Sequence, residues 1–155
     1  MKLNLKVNGE NKVFDIDVRD TLMDVLRANG YTSVKHGCET GECGACTVII
    51  NRKTVNTCIY PALKAENSDV ITCEGLEKDG KLSILQEKFI EMGAIQCGYC
   101  TPGMLLSAHA LLMKNPNPRL EDVKDALSGN FCRCTGYKKP VDAVMAAAKE
   151  MKGGE

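Results

Sequence analysis

The sequence predicts an α+β chain in two parts, a region of short strands with one helix followed by an all-α four-helix bundle. Three observations carry that reading. Strand-like alternation, as at Leu3, Leu5 and Val7, is confined to the first half. Beyond a polar stretch at residues 74–82 the apolar residues recur at helical spacing instead. Finally, eight of the nine cysteines fall into two sets of four, one in each part. A length of 155 residues suits one ordinary domain or two small ones. The boundary is placed in the polar stretch, with domains expected at 1–75 and 82–155.

In the first part, Leu3, Leu5 and Val7, the turn dipeptide Asn8-Gly9 and the run Val13, Phe14, Ile16 and Val18 predict a β-hairpin from Lys2 to Val18. Asp20 is the expected N-cap of a helix over Thr21–Asn29, with Leu22, Val25 and Leu26 buried and Gly30 ending it. Thr47 to Ile50 is a strand, Asn51 to Lys53 a turn, and Thr54 to Thr57 a returning strand that delivers Cys58. Val70 to Thr72 is the last strand. In the second part, Ile84, Leu85, Phe89 and Ile90 form the stripe of a helix ending near Gly93. Thr101 as N-cap and Pro102 at the first helical position open a second helix, stopped by Asn115-Pro116-Asn117-Pro118. A third spans about Arg119 to Leu127, and a fourth starts near Pro140 with Val141, Val144, Met145 and Ala148 inward. Lys152 to Glu155 reads as a frayed tail.

Composition excludes several classes. Lys plus Arg equals Asp plus Glu at 20 each, so nothing favours nucleic acid or an anionic membrane. No apolar run reaches the ~20 residues of a membrane span. Met1 leads straight into a strand pattern, and the cysteine count is odd, so a reducing, cytoplasmic setting with cysteines as ligands is expected rather than disulfides.

The first set is Cys38-x4-Cys43-x2-Cys46-x11-Cys58. C-x4-C-x2-C with a distant fourth cysteine is the plant-type ferredoxin spacing. Three thiolates on one tight loop must turn inward together. Gly37, Gly41 and Gly44 are expected to allow positive φ and to aim backbone N–H groups at the sulfurs. The second set, Cys97-x2-Cys100 with Cys132-x1-Cys134, suits an iron–sulfur cluster, zinc or, less well, a redox dithiol. Cys73 has no partner spacing and reads as a small buried hydrophobe. His109 reads as a packed helix residue, and His36 as a loop histidine beside the first set.

Three segments carry a resemblance. They are Gly37-Cys38 through Gly41-Glu42-Cys43-Gly44-Ala45-Cys46-Thr47-Val48, Gln96-Cys97-Gly98-Tyr99-Cys100-Thr101-Pro102-Gly103, and Gly129-Asn130-Phe131-Cys132-Arg133-Cys134-Thr135-Gly136-Tyr137. Together they resemble the small iron–sulfur subunit of molybdenum hydroxylases, the xanthine dehydrogenase/aldehyde oxidase family, over residues 2–150. The resemblance implies a β-grasp, ferredoxin-like domain and then a four-helix bundle, each carrying one 2Fe–2S cluster. It implies that Cys38, Cys43, Cys46 and Cys58 hold the cluster toward FAD, and that Cys97, Cys100, Cys132 and Cys134 hold the one nearest the molybdopterin. Gln96 and Cys134 would also touch the pterin. The molybdopterin-type cofactor and FAD would belong to a large and a medium partner subunit, in a hetero-oligomer that extends in some cases to a dimer of heteromers. No residue of this chain is expected to be catalytic. The family's substrates include purines, nicotinate and other N-heterocycles, aldehydes, aromatic acyl-CoA thioesters and carbon monoxide, and an N-heterocycle is favoured here. A free-standing two-cluster ferredoxin and a zinc-stapled module are the competing functions.

Overall fold

The structure is a computed structural model that describes residues 1–154. Strands β1 (Lys2–Val7) and β2 (Glu10–Asp15) form the expected hairpin. Asn8 and Gly9 both take positive φ, 50° and 88°, as a two-residue turn matched to strand twist requires. The pairing ends at Asp15, so Val18 lies outside the hairpin and is exposed. Helix α1 (Leu22–Ala28) buries Leu22, Val25 and Leu26, and also Met23. Its N-cap is Thr21, not Asp20: the Thr21 hydroxyl accepts from the Asp24 amide, and the Asp24 carboxylate accepts from the Thr21 amide. Asp20 is occupied one step earlier, where its carboxylate accepts from the Asp17 amide.

Strands β3 (Thr47–Ile50), β4 (Lys53–Asn56) and β5 (Asp69–Ile71) complete a sheet of order β2-β1-β5-β3-β4. The pair β1–β5 is parallel and the others antiparallel, with α1 on one face, which is the β-grasp arrangement. Short 3₁₀ turns at Thr57–Ile59 and Ala62–Ala65 pack against α1. Cys58 therefore comes from a turn after β4 rather than from a strand end.

Helices α2 (Ile84–Glu91), α3 (Thr101–Lys114), α4 (Leu120–Leu127) and α5 (Lys138–Gly153) form the bundle. Ile90 points outward at 58% exposure, so the α2 stripe is Leu85 and Phe89. Thr101 is already helical, and Cys100 holds the cap position before it. Helix α5 begins two residues before Pro140, directly after Tyr137 at a left-handed φ of 70°. It continues through Gly153, so Lys152 is helical rather than frayed, and Glu155 lies outside the described residues.

Two cores share one strand. Val48 and Ile50 of β3 join the core under α1, while Ile49 between them joins the core of the bundle, as alternation along a strand dictates. Helix α3 lies across β3 on that second face, and Leu76 also belongs to the bundle core. The second half is therefore docked on the sheet, and this brings its cysteine loops to the loop that precedes β3. Among the described residues no helix is long and apolar enough to cross a membrane.

Candidate metal centres

The first four cysteines gather where the 38–46 loop meets the turn after β4. The Cys38 sulfur accepts backbone N–H groups from Thr40, Glu42 and Cys43 at 3.3–3.4 Å. The Cys43 sulfur accepts from Cys38 and Ala45 at 3.4 Å. Such a nest of amides stabilises thiolate over thiol. Hydrogen bonding from Thr40 and from the amides of Cys43 and Glu42 pulls the Cys38 thiol down to about 5. Cys46 and Cys58 are buried side by side, and burial followed by the neighbouring Cys46 sulfur pushes the Cys58 thiol up to about 11. Asn56 donates to the Gly41 carbonyl at 2.7 Å and Thr57 to the Cys46 carbonyl at 2.8 Å, closing the turn over the loop. Gly41 and Gly44 adopt the expected positive φ, 80° and 72°. Gly37 does not, and its reason is space: a Cβ there would lie 2.5 Å from the Cys43 sulfur.

The second four come from two loops, one before α3 and one between α4 and α5. Cys97 and Cys134 are neighbours and exposed; Cys100 and Cys132 are neighbours and half-buried. Burial and then the adjacent Cys132 push the Cys100 thiol up to about 12. Burial alone would raise Cys132 as well, but the Thr135 hydroxyl and amide, 3.0 and 3.4 Å from its sulfur, bring it below its ordinary value. The hydrogen bond with Cys97 raises Cys134. Gln96 is exposed beside Cys97.

In both places the cysteines are associated two by two: the thiols of Cys46 and Cys58, Cys97 and Cys134, and Cys100 and Cys132 are neighbours, and Cys38 and Cys43 exchange amide-to-sulfur hydrogen bonds. Among the described residues no group of three or more His, Cys, Asp or Glu side chains comes together as one metal-holding group. Two pairs of cysteines per site suit a binuclear iron–sulfur core, which takes four cysteines over its two irons.

Cys73 is half-buried against the bundle core, and burial raises its thiol to about 11, as suits a small packed side chain. His109 is also partly buried, and burial and then Lys78 lower its pKa. His36 sets its Nδ1 2.6 Å from the Glu39 carboxylate. Sequence reasoning assigned no role to Tyr99, Asn130 or Phe131, which join the two thiol sites. Their only signal was a place inside the cysteine motifs.

Residues 5–76 match the model of the 2Fe-2S iron-sulfur cluster binding domain, and residues 72–145 that of the [2Fe-2S] binding domain. The nicotinate dehydrogenase small FeS subunit of Eubacterium barkeri is 53% identical over 148 residues, covering 95% of this chain and 94% of that one. The chain belongs to the small 2Fe–2S subunits of the molybdenum hydroxylase family. The xanthine dehydrogenase iron-sulfur-binding subunit of Escherichia coli O157:H7 is another member, 43% identical over 83% of this chain and 82% of its own. Crystallographic likeness extends to quinoline 2-oxidoreductase from Pseudomonas putida 86, with a TM-score of 0.94 and 41% identity over 100% of this chain and 98% of that chain. In the aldehyde oxidoreductase of Desulfovibrio desulfuricans ATCC 27774 the same fold recurs inside a longer chain: TM-score 0.95, 47% identity, 99% of this chain but 17% of that one.

Proposed function

We propose that this chain is the electron-relay subunit of a multi-subunit molybdenum hydroxylase acting on an N-heterocycle such as nicotinate. The observation that carries this is the pair of four-thiol sites, one per half, each sorted into two cysteine pairs. Cys38, Cys43, Cys46 and Cys58 would hold one 2Fe–2S cluster, and Cys97, Cys100, Cys132 and Cys134 the other. Each cluster, when bound, supplies one-electron carriage. The protein's own part is to aim amides at Cys38 and Cys43, to exclude water around Cys46 and Cys58, and to present Cys97 and Cys134 at the surface. The exposed face around Gln96, Cys97 and Cys134 suits a molybdopterin-binding large subunit, with Gln96 and Cys134 against the pterin. An FAD-binding medium subunit takes the side of the Cys38 loop. The proposed units are 1–75 and 82–155, working in the cytoplasm. Nicotinate follows from the name of the 53% identical relative.

Native purification followed by metal analysis and mass spectrometry tests the reading. Iron in both sites and co-purification with larger molybdenum- and flavin-bearing chains are expected. Recovery as a lone monomer would favour a free-standing ferredoxin, and zinc in a colourless protein would refute both.

A further inference from the structure

The two thiol sites are joined by contacts that neither needs for its own loop. The Phe131 amide donates to the Cys43 carbonyl at 2.8 Å, and Phe131 is the residue before Cys132. Asn130, 3% exposed, donates its Nδ2 to the Gly44 carbonyl at 3.1 Å and lies 3.4 Å from the Thr47 hydroxyl. Tyr99, between Cys97 and Cys100, donates its hydroxyl to the His36 carbonyl, just ahead of Gly37-Cys38. Such close backbones leave no room for side chains. A Cβ on Gly103 would lie 2.4 Å from the Gly44 oxygen, and one on Gly44 would lie 2.2 Å from the Gly129 oxygen.

We propose that Asn130 and Tyr99 are positioning residues that hold the two cysteine loops in one register, so that the Phe131–Cys43 hydrogen bond couples the two sites electronically. The inference rests on the cluster assignment above. One electron leaves the Cys97–Cys134 site and arrives at the Cys38–Cys58 site; no covalent bond changes and no proton moves. Asn130 carries more of this than Tyr99. Its amide is buried and is the donor that reaches the Gly44 carbonyl from the other site, where the Thr47 amide and hydroxyl otherwise bond only within their own loop; the half-exposed Tyr99 makes its contact where water can replace it. In Asn130→Asp the donor is gone and a carboxylate faces that carbonyl oxygen.

The test uses the intact assembly carrying Asn130→Asp or Tyr99→Phe. Iron content and the electron paramagnetic resonance of each reduced site are read first. The magnetic splitting between the two reduced sites, and the rate at which one added electron equilibrates between them, follow. With full iron and both signals present, Asn130→Asp should lose most of the splitting and slow the equilibration, and Tyr99→Phe should shift both the same way by less. If Asn130→Asp loses a cluster, Tyr99→Phe decides. Unchanged splitting and equilibration in fully loaded variants would overturn the inference. Wild-type protein holding fewer than two clusters would overturn the assignment beneath it, and iron content identifies that outcome separately.

Discussion

The two thiol sites have the same number of sulfurs but are built differently. The first is one loop and the turn that closes it; its backbone supplies the amides, and Cys46 and Cys58 are buried. The second is assembled from two loops separated by α3 and α4, and leaves Cys97 and Cys134 at the surface. A site built locally inherits its geometry from a few backbone torsions. A site built from distant loops inherits it from the packing of the helices between them, so it should yield first when that packing is disturbed.

The largest break in this comparison removes one sulfur. Cys43→Ser and Cys100→Ser should each abolish one resonance signal of the reduced protein and leave the other. Loss of the same signal in both variants would contradict the division into two sites. Next comes the helix that delivers the 128–134 loop. Leu127 is 1% exposed at the end of α4, and Leu127→Ala should cost about 2–5 kcal/mol. In a denaturant titration followed by visible absorbance, the second site should bleach ahead of the first; simultaneous bleaching would remove the distinction drawn here.

A third change addresses the seam. Gly103→Ala forces a methyl against the Gly44 carbonyl and the Asn130 amide, an overpacking expected to cost about 1–3 kcal/mol. Because the seam touches both sites, the stability of both should fall, in contrast to Leu127→Ala. Calorimetry of the two variants side by side separates these outcomes.

The smallest expected effect lies on the first half's own scaffold. Glu74 accepts from the Ser33 amide at 3.0 Å, from the Ser33 hydroxyl, and from the Thr72 hydroxyl at 2.6 Å. Burial alone would raise its pKa, but these hydrogen bonds more than reverse that and hold it below the ordinary glutamate value. Its stabilisation is therefore complete above the ordinary glutamate pKa and disappears as pH falls toward the lower folded value. Glu74→Gln should cost about 1 kcal/mol at neutral pH, after allowance for its partial exposure, and progressively less on acidification. A variant equally destabilised at neutral and acid pH would show that the charge is not what matters.

Much of the architecture was legible in the chain. Alternation at Leu3, Leu5 and Val7, the Asn8-Gly9 turn and the apolar stripes of α3 and α5 are local signals, and local physics decides them. The misreadings are where neighbours compete. Thr21 displaced Asp20 as the cap because Asp24 stands at the reciprocal capping position, and Asp20 found the Asp17 amide instead. Ile90 has the periodicity of a core residue but faces solvent, because packing rather than hydropathy decides which part of a stripe is covered.

Sequence alone grouped eight cysteines into two sets, because ligand spacing on a tight loop is a covalent constraint. It also marked the glycines that such a loop needs. Only the tertiary structure could sort the cysteines into pairs, bury Ile49 on the opposite face from Val48 and Ile50, and bring Asn130 and Tyr99 to the backbone beside Cys38 and Cys43. Those contacts depend on α3 lying across β3, and that docking follows from the shape of two cores rather than from any short stretch of residues.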